Sequence, residues 1–233
     1  MARFGNGYGS ECHLLRWMGR HRNDFDREVL KALGAQDGRI EWLDFDFIEG
    51  HGWADAEWKG LDFLSQDVTL QSKWQAFWPT GRGVQNWDVV GQLLFPDGSR
   101  DWVLVEAKAH VQEIQSDCQA RAAGSRDQIT AALTATKTAL GVAPDRDWTA
   151  GYYQFTNRLA TLYFLESHGI HARLLFIYFL GDHRPDEGIC PASIADWTGA
   201  LAAQAAHVGL PEKHALSDRI HKLFLRVDGM PAA

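Results

Sequence analysis

Three cysteines, Cys12, Cys118 and Cys190, are too few and too scattered in 233 residues for a disulfide framework or a zinc-ligand cluster. They are expected to be reduced thiols of a cytoplasmic protein. No apolar run approaches the roughly 18–20 residues that span a bilayer. The Gly-rich start Met1–Glu11 also lacks the apolar stretch of a signal peptide, so no membrane partner is expected. Lysine is scarce, with 7 against 16 arginines, and the formal net charge is −7. That balance argues against a dedicated nonspecific nucleic-acid binder. It leaves room for a nucleic-acid enzyme, because a local basic groove can sit on an acidic body. There is no GxGxxG or P-loop after a strand, no GxSxG nucleophile elbow and no HExxH. The ten histidines show no ligand spacing with cysteine.

What is present suits one globular domain. Hydrophobic residues make up 45% and charged residues 23% of the chain. Residues 1–233 are read as a single α/β domain. Glu11 to Leu33 has apolar residues at helical spacing, with a break near Asn23, Ser10 as a plausible cap and Gly34 as a stop. Arg39 to Ile48 reads as a strand. Residues 49–83, with Trp53, Trp58, Trp74 and Trp78, read as a Trp-rich insertion. Its aromatics could stack on bases, but packing of a satellite core is the favoured reading. Val84–Phe95 and Asp101–Val111 are two strands around the turn Pro96-Asp97-Gly98-Ser99. Helices over Gly124–Leu140 and Gly151–His168 follow, then the nearly unbroken apolar strand His171–Leu180, as expected when both faces are covered. A helix over Ala192–Val208 and a strand over His221–Val227 complete an α/β C-terminal extension, residues 182–233.

The hairpin holds the chemistry. Strand alternation puts Trp102, Leu104, Glu106, Lys108 and His110 on one face, and Val103, Val105, Ala107 and Ala109 on the other. On the partner strand Asn86, Asp88 and Gln92 share one face, and Trp87, Val89, Leu93 and Phe95 the other. Opposed residues of an antiparallel pair share a face. A two-residue loop would point Asp88 away from Glu106, whereas a three-residue loop or a bulge would point it toward Glu106. The odd-length loop or bulge is therefore expected. Two close carboxylates repel and call for a cation between them. Mg²⁺ suits one or two carboxylates plus waters and a substrate phosphate, and the Ala107 carbonyl is a further candidate ligand. Lys108 returns to the face of Glu106 and would position a water or offset phosphate charge. A second acid-x-Lys triplet, Glu57-Trp58-Lys59, lacks a preceding apolar strand and is taken as coincidence. Asp97, in Pro-Asp-Gly, is turn chemistry.

Asp88, Glu106 and Lys108, in the order helix, three strands, helices, strand, resemble the PD-(D/E)XK nuclease superfamily. The resemblance covers roughly residues 10–182, with Trp87 where the name-giving motif has proline. It implies a restriction-endonuclease-like αβββαβ core, a mixed sheet flanked by helices. It also implies a metal-dependent nuclease that uses Mg²⁺ or Mn²⁺ held by Asp88, Glu106 and Ala107, with DNA the expected partner and a homodimer possible. By the same resemblance Gln154 would orient water or substrate, Arg158 would hold a phosphate, and Glu11 (or Glu28) on the first helix would add a carboxylate. Arg16, Arg20 and Arg27 fall on one helical stripe, for which a solvated face is the favoured reading and a phosphate-contacting edge, with Arg16 and Arg20 as its rim, the alternative. His110 shares the face of Lys108 and is a further candidate at the site, an ordinary hydrogen-bonded histidine being the favoured reading. The competing expectation is a non-catalytic nucleic-acid-binding or structural protein that retains the fold.

Overall fold

The computed structural model describes residues 7–43, 58–81, 84–184 and 189–229. The first helical stretch is two helices, α1 (Ser10–Arg20) and α2 (Arg22–Ala32), which meet at His21, close to the break expected near Asn23. Gly9 rather than Ser10 caps α1. Gly34, at φ 66°, takes the left-handed conformation that ends the run. The strands are β1 (Arg39–Trp42), β2 (Trp58–Lys59), β3 (Asn86–Trp87), β4 (Val89–Leu94), β5 (Arg100–Lys108), β6 (Ala172–Leu180) and β7 (Ile220–Arg226). The remaining helices are α3 (Val68–Phe77), α4 (Ala123–Leu140), α5 (Tyr153–Ser167) and α6 (Ile194–Val208). The expected strand over Arg39–Ile48 is present for its first four residues, and its end lies outside the described residues.

The main sheet is mixed, in the order β1-β4-β5-β6-β7. β1, β4 and β5 pair antiparallel, and β6 and β7 continue in parallel. Helices cover both faces, so the protein is α/β. The face bearing Val89, Leu93, Val103, Val105 and Ala107 packs on Leu14, Trp17, Met18, Phe25 and Val29 of α1 and α2. The face bearing Val90, Leu104, Phe176 and Tyr178 packs on α3 to α6. Every residue of β6 except Arg173 is buried, which is why its sequence shows no alternation. The C-terminal segment extends this same sheet through β7. Among the described residues no helix is long and apolar enough to cross a membrane.

Two tryptophans of the Trp-rich segment join the core. Trp74 and Trp78 of the α3 region are both 1% exposed and stack with ring centroids 6.1 Å apart. Trp74 also meets Phe164 of α5 edge-on at 5.0 Å. Trp53 lies outside the described residues.

Candidate active site

The loop joining β4 to β5 has three residues, Pro96, Asp97 and Gly98, and the Phe95 N–H donates to the Ser99 carbonyl at 3.0 Å across it. Asp97 accepts the Ser99 N–H at 2.8 Å and its hydroxyl at 2.6 Å, the local turn chemistry that a Pro-Asp-Gly sequence supports. The register then runs from Leu94 opposite Arg100 to Val89 opposite Val105. Asp88 breaks it. Its N–H donates to the carbonyl of Val105 at 3.1 Å, although Val105 already pairs with Val89. Two residues therefore face one, a β-bulge. The bulge turns Trp87 away from Val89, contrary to simple alternation, and into the core under α3–α6. There its indole N–H donates to the Gly60 carbonyl at 2.9 Å. The bulge also lets the Asp88 Oδ2 accept the Ala107 N–H at 2.7 Å. In an extended strand a residue's N–H and C=O point to the same side. The Ala107 carbonyl thus also faces the Asp88 side, beyond the end of the β4 ladder.

Glu106 lies across from this bulge and is 3% exposed. Its Oε1 accepts Lys108 Nζ at 2.5 Å. Its Oε2 accepts two N–H groups of Arg158, from Nε at 2.9 Å and from Nη2 at 2.6 Å. Lys108 also donates to the side-chain carbonyl of Gln154 at 3.1 Å. Gln154 and Arg158 stand one turn apart on α5, and both reach the site. The Gln154 backbone N–H is held by the Ser116 hydroxyl at 2.8 Å, which fixes the start of the helix.

Asp88, Glu106, Ala107, Lys108, Gln154 and Arg158 all line one cavity of about 1030 Å³. The electrostatics follow from burial and neighbours. Burial, with Glu106 nearby, pushes the Asp88 carboxyl up to about 7. For Glu106 burial acts in the same sense, but Arg158 and Lys108 outweigh it and hold its carboxyl below the usual range. Burial would depress the Lys108 ammonium, but Glu106 and Asp88 outweigh it and raise it above its ordinary value. At neutral pH the site holds an ionised Glu106, a charged Lys108 and an Asp88 poised to gain or lose a proton.

The remaining expectations meet a different setting. Arg158 is not an open phosphate grip. It is 4% exposed and also donates to the Asn86 carbonyl at 2.6 Å and to the Asn157 side chain at 2.7 Å. Arg16 donates to the Val227 carbonyl at 3.2 Å, Arg20 is exposed, and neither lines the cavity. Glu11 is exposed and outside the cavity, which α1 touches only through Ser10. His110 pairs with Glu113 at 3.1 Å and with Arg184, also outside the cavity. Sequence reasoning missed the residues that hold Arg158, namely Trp87, Asn86 and Asn157. Only the adjacency of Asn157 to Arg158 offered a signal. Among the described residues no group of three His, Cys, Asp or Glu side chains could hold a metal. An ion here would have two carboxylates and a backbone carbonyl, an all-oxygen set that fits Mg²⁺ or Mn²⁺ provided water and substrate complete the shell. Compared with known proteins, the chain matches no family model, no curated protein and no solved structure.

Proposed function

We propose that the protein is a metal-dependent nuclease that hydrolyses phosphodiester bonds, with DNA as substrate, on a restriction-endonuclease-like core. The observation that carries this reading is the convergence of Asp88, Glu106 and Lys108 on one cavity, with Gln154 against the lysine. The order of the main sheet supports it once the segment from β2 to β3 is set aside as an insertion: helices, three antiparallel strands, helices, then a parallel strand. Asp88, Glu106 and the Ala107 carbonyl would hold the cation. Bound there, Mg²⁺ or Mn²⁺ supplies Lewis-acid stabilisation of phosphate charge and lowers the pKa of a water. Lys108 donates to a phosphate oxygen or orients the attacking water, and Gln154 fixes the direction of its ammonium. Asp88 must lose its proton to serve as a ligand, so cation binding strengthens as pH rises through about 7.

The test is cleavage of labelled double-stranded DNA, single-stranded DNA and RNA with Mg²⁺ or Mn²⁺, comparing the wild type with Lys108→Ala and Asp88→Ala. Activity that needs metal and disappears in both folded variants is the expected result. One observation favours a second reading, a non-catalytic nucleic-acid-binding or structural protein: both oxygens of Glu106 already accept hydrogen bonds from protein cations. That reading predicts neither cleavage nor metal binding.

A further inference from the structure

We propose that Arg158 is a built-in cation standing where a second metal ion would otherwise bind, so that the site takes one divalent ion per chain. This rests on the nuclease reading. Two-metal sites place their ions roughly 3.5–4 Å apart to clamp both the attacking and the leaving oxygen. A pair that close is held together by carboxylates that reach both ions. Glu106 cannot serve as one. Two N–H groups of Arg158 converge on its Oε2, at 2.6 and 2.9 Å, leaving only the Oε1 side, toward Lys108, for a metal.

Arg158 is also fixed too firmly to swing aside. Its guanidinium lies 4.9 Å from the centroid of the Trp87 ring, a cation–π contact with a fully buried indole. Four of its five N–H groups are engaged by Glu106, Asn86 and Asn157. The remaining acid on the cavity wall, Asp117, is exposed and already accepts the Gly151 N–H on its Oδ1 at 2.7 Å, Glu11 lies outside the cavity, and among the described residues no three-residue metal-binding group is present. A guanidinium in this position neutralises one carboxylate permanently, and a single metal then offsets Asp88 and the substrate phosphate.

The test is Mn²⁺ titration of the full chain at pH 8, followed by calorimetry and by electron paramagnetic resonance, which separates isolated from coupled ions. The wild type is expected to bind one Mn²⁺, with an uncoupled spectrum. Arg158→Met is expected to bind Mn²⁺ about tenfold more tightly, because a repelling charge beside Glu106 is gone. Arg158→Lys, which loses the forked geometry but keeps a positive charge beside Glu106, is expected to stay nearer the wild type than Arg158→Met does, within about threefold. A purely structural Arg158 would give weaker or unchanged binding in folded Arg158→Met, and that result overturns the proposal. So do two coupled Mn²⁺ in a wild type that cleaves nucleic acid, and there the nuclease reading survives alone. A folded wild type that binds no Mn²⁺ and cleaves nothing overturns both. If Arg158→Met does not fold, the wild-type stoichiometry and Arg158→Lys decide.

Discussion

Strand β5 holds Asp101 near its start and Glu106 near its end, both buried and both met by two cations. Asp101 accepts from Arg173 and Arg219, each at 2.7 Å. The second acid of that cluster, Glu166, also has Arg219 beside it at 3.7 Å. Every acid there touches a guanidinium, and the cluster lines no part of the large cavity. At the Glu106 end the two cations both turn to Glu106. Asp88 is left with a backbone N–H, and its carboxyl is pushed up to about 7. Each end has two acids and two cations, yet among the described residues only one end has an acid without a cation in hydrogen-bond contact and an opening in front of it. Ion pairs alone therefore do not mark a site; an unmatched acid facing a cavity does.

The sharpest way to test that contrast is activity. Lys108→Ala or Asp88→Ala is expected to lower the metal-dependent cleavage rate by about 10²–10⁴-fold. Asp101→Asn is expected to leave it within about twofold, since that residue is remote from the cavity. Stability separates the ends next. Arg158→Met leaves Glu106 short of its main counter-charge and should cost about 3–5 kcal/mol in urea unfolding. Arg219→Ala should cost about 1 kcal/mol or less, because Asp101 keeps Arg173.

The pH dependence comes third. Asp88 has a folded-state pKa of about 7 against an ordinary 3.8, so between those values the folded chain binds more protons than the unfolded one. Its contribution to stability therefore falls as pH rises across that window, then levels off. Asp88→Asn removes this loss and should gain on the wild type by on the order of 2–3 kcal/mol between pH 4 and pH 8, read from urea midpoints. No such gain with Asp88→Asn would mean that the acid is not unmatched after all. The smallest effect is expected from Gln154→Ala, about tenfold in rate and under about 1 kcal/mol in stability, since it removes a single hydrogen bond to Lys108.

Much of this could be read in the chain because the signals are local. The apolar run of β6, the helix end at Gly34, and the odd-length loop at Pro96-Asp97-Gly98 each depend on a few adjacent residues. The approach of Asp88 to Glu106 was expected from an odd-length loop or a bulge, and the structure has both, the register breaking at Asp88 itself. What escaped depends on distant partners. The bulge at Asp88 reverses Trp87, and it goes with a separate pairing of β3 with β2 from the Trp-rich segment. Arg158 reads as a polar residue on a helix, and only Trp87 and the Asn86 carbonyl, some seventy residues earlier, show that it is a buried counter-ion. The Arg16 and Arg20 stripe has the right composition for a phosphate rim, but α1 presents only Ser10 to the cavity.

The three-residue loop between β4 and β5 has a bearing on how the chain folds. Asp88 and Glu106 are separated by only seventeen residues and sit on the two arms of one hairpin, whereas Arg158 must arrive from more than fifty residues further on. Short-range pairing closes first, because its loop entropy is the smaller. The two acids therefore meet while the guanidinium that will neutralise one of them is still diffusing, and the nascent hairpin carries a repulsion that the finished protein offsets with Arg158 and Lys108. Mildly acidic conditions relieve it, so refolding is expected to speed up as the pH falls toward the ordinary range of the carboxylates.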